Sequence, residues 1–351
     1  MATDADTNLG VGAIRTALDL PALNAWMTAN VAGFAGPLDV AQFNGGQSNP
    51  TYRLITPDRS YVLRRRPPGL LVKGAHDVLR EARVIAALGA TDVPVPRVHA
   101  VCADESVIGS AFYVMAMVEG RIFWDASFAQ VPKPERAAYF DAMNRTIAAL
   151  HKVDPNAVGL GDYGRPGNYF ARQIGRWTQQ YQADEVAGRD ADMDALIARL
   201  PTAIPTNDET TIIHGDFRCD NLIFHPERPE VLAILDWELS TLGNPLSDFA
   251  YHALMYRVPP DIVAGLGGAD PVALGLPEES AYIDAYCRNT GRPGIANWNF
   301  YIAFNLFRLA AIFHGIKGRA LRGSASSAQA RSRAEAFPKV AALARQALEA
   351  V

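Results

Sequence analysis

Apolar positions recur along this chain with two different periods. From Asp19 to about Val31, Leu20, Leu23, Trp26 and Met27 fall on one helical face, and Gly33 follows as a stop. The pattern then shifts to short runs rich in branched and aromatic residues: Leu38–Phe43, Thr51–Ile55 and Tyr61–Arg65, then Arg97–Cys102 and Ala111–Val118. Such runs, bounded by Gly, Pro and Asn, predict strands. Between the third and fourth, Val78, Ala82, Ile85 and Leu88 return to helical spacing within Gly74–Leu88. Beyond residue 120 the helical period dominates. Pro134–His151 opens on a proline and carries Tyr139, Phe140, Met143, Ile147 and Leu150 as a stripe, and Asp190–Leu200 reads as another helix. Three short apolar runs depart from this: Ile212-Ile213, Leu222-Ile223-Phe224 and Val231–Leu235, which read as buried strands making a tight β-loop-β. The patterning predicts an α+β chain. A small five-stranded antiparallel β lobe with one helix occupies about 1–119, with a further helix at about 19–32, and a larger, mostly helical lobe occupies 120–351. Residues 1–18 are expected to fray.

Polar residues interrupt the last runs at fixed intervals. His214-Gly215-Asp216 is followed, five residues after the Asp, by Asn221, and Val231–Leu235 runs straight into Asp236. Phosphoryl transfer uses this set: one carboxylate to accept a hydroxyl proton, plus an amide and a second carboxylate to hold Mg²⁺. A buried polar turn whose side chains only bond backbone is the plain alternative. The extended segments HGDFRCDNLIF and LDWELSTLGNPLSD resemble the aminoglycoside-phosphotransferase-like kinases, and most closely the branch related to the kinase-like domain of acyl-CoA dehydrogenase family members 10 and 11. The stretch Gly164–Phe170 (GRPGNYF) resembles the same branch, so the likeness covers roughly residues 36–255. It implies a bilobal protein-kinase-like fold, ATP and Mg²⁺ as cofactors, and a small-molecule acceptor with a hydroxyl group. Asp216 is then the catalytic base, and Asn221 and Asp236 are the metal ligands.

The same resemblance gives the front of the chain a purpose. Asn44-Gly45-Gly46-Gln47-Ser48-Asn49 would bring backbone N–H groups to phosphate oxygens, although it lacks Gly-x-Gly-x-x-Gly spacing and also fits a plain hairpin turn. Arg64, in a strand that ends in three arginines, stands where kinases carry a Lys on the phosphates. An Arg keeps the charge but adds a bidentate fork, so the exchange is not neutral. Glu81 lies beside the stripe of the next helix and is its natural partner. Ala111–Val118 resembles the segment joining kinase lobes, with the Ala116 carbonyl and Val118 N–H on the adenine edge and Met115 flanking the base. Asp248 would hydrogen-bond the catalytic loop in the family's manner, or simply cap the helix it opens.

Composition narrows the rest. The 351 residues include 37 Asp and Glu against 33 Lys and Arg, a net charge of −4, which argues against a general nucleic-acid binder. Cys102, Cys219 and Cys287 lie far apart without metal-ligand spacing, pointing to a reducing compartment. There is no apolar run long enough to span a membrane, and the acidic start is no signal peptide, so a cytoplasmic location is expected. Between Ala285 and Ala334 acidic residues are absent, while Arg288, Arg292, Arg308, Lys317, Arg319, Arg322, Arg331 and Arg333 accompany a stripe of aromatic residues. An apolar stripe of this kind is usually core, but the bias favours an anionic or lipophilic acceptor over a polycation such as an aminoglycoside. The resemblance implies a hydroxylated acyl-CoA, with an aminoglycoside, sugar or amino alcohol as the alternative. A catalytically inactive nucleotide-binding scaffold is the rival from another class. Oligomeric state is not written in the sequence.

Overall fold

The computed structural model describes residues 10–12, 14, 17–44, 49–67, 77–325 and 327–350. The chain divides into two compact units. One comprises Met1–Phe123, Val158–Leu160 and Asp220–Ser240; the other comprises Trp124–Ala157, Gly161–Cys219 and Thr241–Val351.

The first unit is built on a six-stranded antiparallel sheet in the order β1-β2-β3-β4-β6-β5. Its strands are β1 (Val11–Gly12), β2 (Asp39–Phe43), β3 (Thr51–Ile55), β4 (Ser60–Arg65), β5 (Val98–Cys102) and β6 (Phe112–Ala116). The expected five strands are therefore joined by a sixth, from the stretch expected to fray, where Val11 and Gly12 pair with Phe43 and Gln42. Two residues at a sheet edge carry no periodicity, so no pattern announces them. Helix α1 (Leu20–Asn30) is capped by Asp19, whose carboxylate accepts the Ala22 N–H at 2.9 Å. It seats Leu23 and Met27 in a core with Tyr52, Leu54, Tyr61, Leu63, Phe112 and Val114. Burying each such aliphatic or aromatic side chain contributes roughly 1.5–3 kcal/mol.

Alternation along β4 separates its two buried arginines. Arg65 follows Leu63 to the α1 side, donating to Ser110 Oγ at 2.8 Å and to the Ile108 carbonyl at 2.9 Å. Arg64 points to the opposite side, toward α2 (Val78–Leu88), which is capped by Asp77 and packs against β5 and β6. Residues 220–240 add a second ladder, β8 (Leu222–Phe224) with β9 (Val231–Ile234), where Ile223 and Ala233 share a small core with Ile122.

The second unit is mostly helical. Helix α3 (Arg136–His151) packs on α7 (Glu279–Thr290), and α5 (Ala191–Arg199) packs on α9 (Ala328–Glu349). Helix α8 (Trp298–Leu321) lies against α4 (Tyr169–Ala183), α6 (Pro245–Ala253) and α9. Strand β7 (Thr211–Ile213) pairs with β10 (Thr241–Gly243). Strands β8 and β9 make the expected β-loop-β, with Asn221 and Asp236 beside its ends, whereas β7, which leads to Asp216, belongs to a different ladder. Among the described residues no helix is long and apolar enough to cross a membrane.

Candidate active site

Strand β7 delivers the polar loop in the second unit. Gly215, at φ +85°, takes a left-handed conformation that a side chain would strain. The two N–H groups at the bend, those of His214 and Gly215, donate to Oδ2 and Oδ1 of Asp248, each at 2.8 Å. Asp248 sits in the first turn of α6, yet it is Asn244 that caps that helix, accepting the Leu246 N–H at 2.9 Å. Simple capping by Asp248 is thereby excluded, and its carboxylate fixes the loop backbone instead. His151 Nε2 on α3 lies 3.2 Å from Asp248 Oδ2, and Tyr286 OH lies 2.7 Å from the other ring nitrogen. Burial pushes the Asp248 carboxyl up, but the bonds from His151 and the loop outweigh it and hold the group below its ordinary value.

Asp216 follows on this fixed backbone. Tyr251, on α6, donates its hydroxyl to Asp216 Oδ1 at 2.5 Å. Arg308, on α8, donates to the Gly215 carbonyl at 2.8 Å while its guanidinium stands 5.1 Å from the centroid of the Tyr251 ring. A hydroxyl bonded to a carboxylate is roughly twice as strong a contact as a neutral pair.

The first unit gathers a second group around Arg64. Its Nε is 3.0 Å from Glu81 Oε2, too poorly aligned for a hydrogen bond but close enough for an ion pair. Its Nη2 donates to Asp236 Oδ1 at 2.6 Å and lies 3.8 Å from Glu238 Oε2. Glu81 also receives the Trp237 backbone N–H and the Tyr113 hydroxyl. Burial is the largest influence on Glu81, and although Arg64 opposes it the carboxyl is raised to about 7. Arg64 loses some affinity for its proton through burial, but the carboxylates of Glu81 and Asp236 more than restore it, so the guanidinium stays charged.

Asp236 leaves β9 at φ +63°, a left-handed turn that Asp tolerates better than most residues. Buried Trp237 anchors the turn by donating Nε1–H to the Ile234 carbonyl at 3.0 Å. The Leu235 N–H donates to the Asn221 carbonyl at 2.8 Å, which places Asn221 alongside the residue preceding Asp236.

The structure thus brings Arg64, Glu81 and Asp236 together, with Asn221 beside that turn. Gly45, Gly46, Gln47 and Ser48 lie outside the described residues. Asn49 is fully buried, and its side-chain amide has no hydrogen-bond partner among the described residues. Met115 is buried in β6, the Ala116 N–H donates to the Arg97 carbonyl at 2.8 Å, and Val118 packs against the small Ile122 core. Sequence reasoning passed over Glu238 and Tyr251. Each stands within a few residues of a named aspartate, but neither is marked by spacing. The C-terminal bias also changes meaning. Phe300, Tyr301, Phe304, Phe307 and Phe313 are core residues, Arg292 pairs with Glu209, and Arg322 pairs with Asp184. The aromatic stripe is packing, and part of the basic charge is already matched.

Comparison with known proteins places these residues in context. Residues 39–301 match the APH model, described as the phosphotransferase enzyme family. Over 311 residues the chain is 46% identical to acyl-CoA dehydrogenase family member 10 of Mus musculus, covering 88% of this chain and 29% of that one. Overall the chain spans 29–40% of the length of the curated relatives it matches. A crystal structure of a candidate aminoglycoside phosphotransferase from Ralstonia eutropha superposes with a TM-score of 0.89 at 50% identity, covering 95% of this chain and 99% of that one. An aminoglycoside phosphotransferase crystallised with ADP and hygromycin B shares the fold at a TM-score of 0.54 and 14% identity, covering 93% of this chain and 96% of that one.

Proposed function

This chain belongs to the phosphotransferase enzyme family, and on that premise we propose that it transfers the γ-phosphoryl group of ATP to a hydroxyl of a small molecule. The observation that carries the reading is the Arg64 cluster, where one buried guanidinium joins a glutamate of α2 to the aspartate that leaves β9. Arg64, its reach set by Glu81, steadies the α- and β-phosphates. Asp216 takes the proton of the acceptor hydroxyl as that oxygen attacks the γ-phosphorus and ADP departs.

The donor set suits Mg²⁺. Asn221, Asp236 and Glu238 offer the hard oxygen atoms that this ion selects. When bound, Mg²⁺ neutralises charge developing on those oxygens. The Asp236 side chain is 35% exposed, so water can reach it and its contact with Arg64 is open to exchange.

For the acceptor we propose a hydroxylated acyl-CoA. The support is that the curated relatives are named as acyl-CoA dehydrogenases of which this chain matches only a part. The first experiment is thermal melting with Mg²⁺ and ATP, GTP or neither, repeated on Asp236→Ala. Ligand at about a hundred times Kd stabilises by roughly 2.7 kcal/mol. A metal-dependent ATP shift that disappears in Asp236→Ala supports the reading; no shift with any nucleotide overturns it in favour of a scaffold. ADP release with hydroxyacyl-CoAs, sugars and aminoglycosides then ranks the acceptors.

A further inference from the structure

We infer that Tyr251 and Arg308 form a brace that sets the carboxylate of Asp216, with Tyr251 as a positioning residue for the phosphoryl transfer proposed above, on which the inference rests. A carboxylate turns about its last torsion in a broad, two-fold well, so backbone placement alone does not aim its oxygens. The loop solves half of the problem, since Asp248 holds the His214 and Gly215 N–H groups. The other half comes from the same helix one turn later. Tyr251, three residues beyond Asp248, donates to Asp216 Oδ1 at 2.5 Å and so selects one orientation of the group.

The donor is dependable. Burial first, and then the Asp216 charge, raise the Tyr251 hydroxyl well above its ordinary value, so it keeps its proton throughout the working range of pH. The charged groups that bear on it are Asp216 and Arg218 of the loop and Arg308 of α8. Arg308 in turn limits the movement of the ring. Its guanidinium stands 5.1 Å from the ring centroid, and its Nη2 is tied to the Gly215 carbonyl at 2.8 Å. One arginine therefore touches the backbone on one side of Asp216 and the phenol on the other. Nothing in the spacing of α6 or α8 signals this, because Tyr251 lies 35 residues from Asp216 and Arg308 lies 93 residues from Gly215.

Tyr251→Phe keeps the ring and the cation–π contact and removes only the donor, whereas Tyr251→Leu removes both. The assay is basal ADP release from Mg·ATP, which needs only water as acceptor, read as kcat and KM for ATP. Tyr251→Phe should lower kcat by about 10-fold or more, the scale of a small misplacement of a reacting group. KM for ATP should stay close to wild type, and the melting temperature should fall by only a few degrees, the scale of one charge-assisted hydrogen bond. Placed in an Asp216→Asn background, the same substitution should have almost no further effect, because two residues acting as a unit are not additive. Wild-type kcat in Tyr251→Phe, or a full multiplicative loss in the Asp216→Asn background, would overturn the brace while leaving Asp216 as base. If Asp216→Asn alone turned over at the wild-type rate, the base assignment would fail first and the brace with it, a result visible in the single variant.

Discussion

Replacing Arg64 with methionine isolates the energetics of the buried cluster. Glu81 is 2% exposed, and Arg64 is the cation in ion-pair contact with it. Removing one member of a buried pair typically costs about 3–5 kcal/mol, because the other charge is left in a poorly solvated place. Asp236 and Glu238, with side chains 35% and 28% exposed, keep water and add little. A loss of that size lowers the melting temperature by on the order of 10 °C.

The loss should also depend on pH in a fixed direction. Glu81 is raised from 4.5 to about 7 with Arg64 present, and without that cation it rises further. A carboxyl with a raised folded value binds more protons folded than unfolded, so its contribution to stability falls as pH rises through that window. In the wild type the fall ends at about 7, whereas in Arg64→Met it continues above that. Melting curves should therefore differ least near pH 5 and most near pH 8. Arg64→Met with Glu81→Leu should recover most of the stability, since apolar replacement of a buried pair is often neutral. Equal losses at both pH values, or a double variant no better than the single one, would refute the buried charge as the cause.

Asp216→Asn should lower turnover by roughly 10²–10⁴-fold with little change in the ATP-induced melting shift, measured by ADP release and thermal melting. Asp248→Asn sets an amide N–H₂ against one of the two backbone donors while its remaining oxygen accepts the other, so it should cost about 1–3 kcal/mol and reduce kcat. Because the Asp248 carboxyl lies below its ordinary value, its contribution is present above the unfolded value of 3.8 and disappears as pH falls through the folded one; acid melts of Asp248→Asn should be correspondingly flatter. Gly120→Ala would put a Cβ 2.3 Å from the Phe224 carbonyl oxygen, so melting should reveal a loss of about 1–3 kcal/mol.

Local pattern made much of this readable. Period two in β4 and helical spacing in α2 mark the two elements, the family resemblance pairs Arg64 with Glu81 between them, and the five longer strands of the sheet are each long enough to repeat a pattern. What stayed hidden is what depends on distance along the chain. Arg64 meets Asp236 across 172 residues, and no local period records such a contact. Tyr251 and Arg308 are far from Asp216 and Gly215 in sequence, and only the fold brings them together. The pairing of β7 with β10 rather than across the loop likewise joins strands separated in sequence. The aromatic stripe of α8 had two readings from its periodicity, core packing and acceptor contact, and burial of Phe300, Tyr301, Phe304, Phe307 and Phe313 supports packing.

The first unit is stitched together from pieces separated by long excursions of the chain. During synthesis the six-stranded sheet can emerge early, but Arg64 and Glu81 must wait until residue 240 has appeared before Asp236, Trp237 and Glu238 can join them. A nascent or truncated chain ending near residue 123 would hold two buried ionic groups without the turn that completes their neighbourhood. Such a fragment is a poor candidate for transplantation. Any attempt to recombine this unit with another protein has to move all three of its segments together.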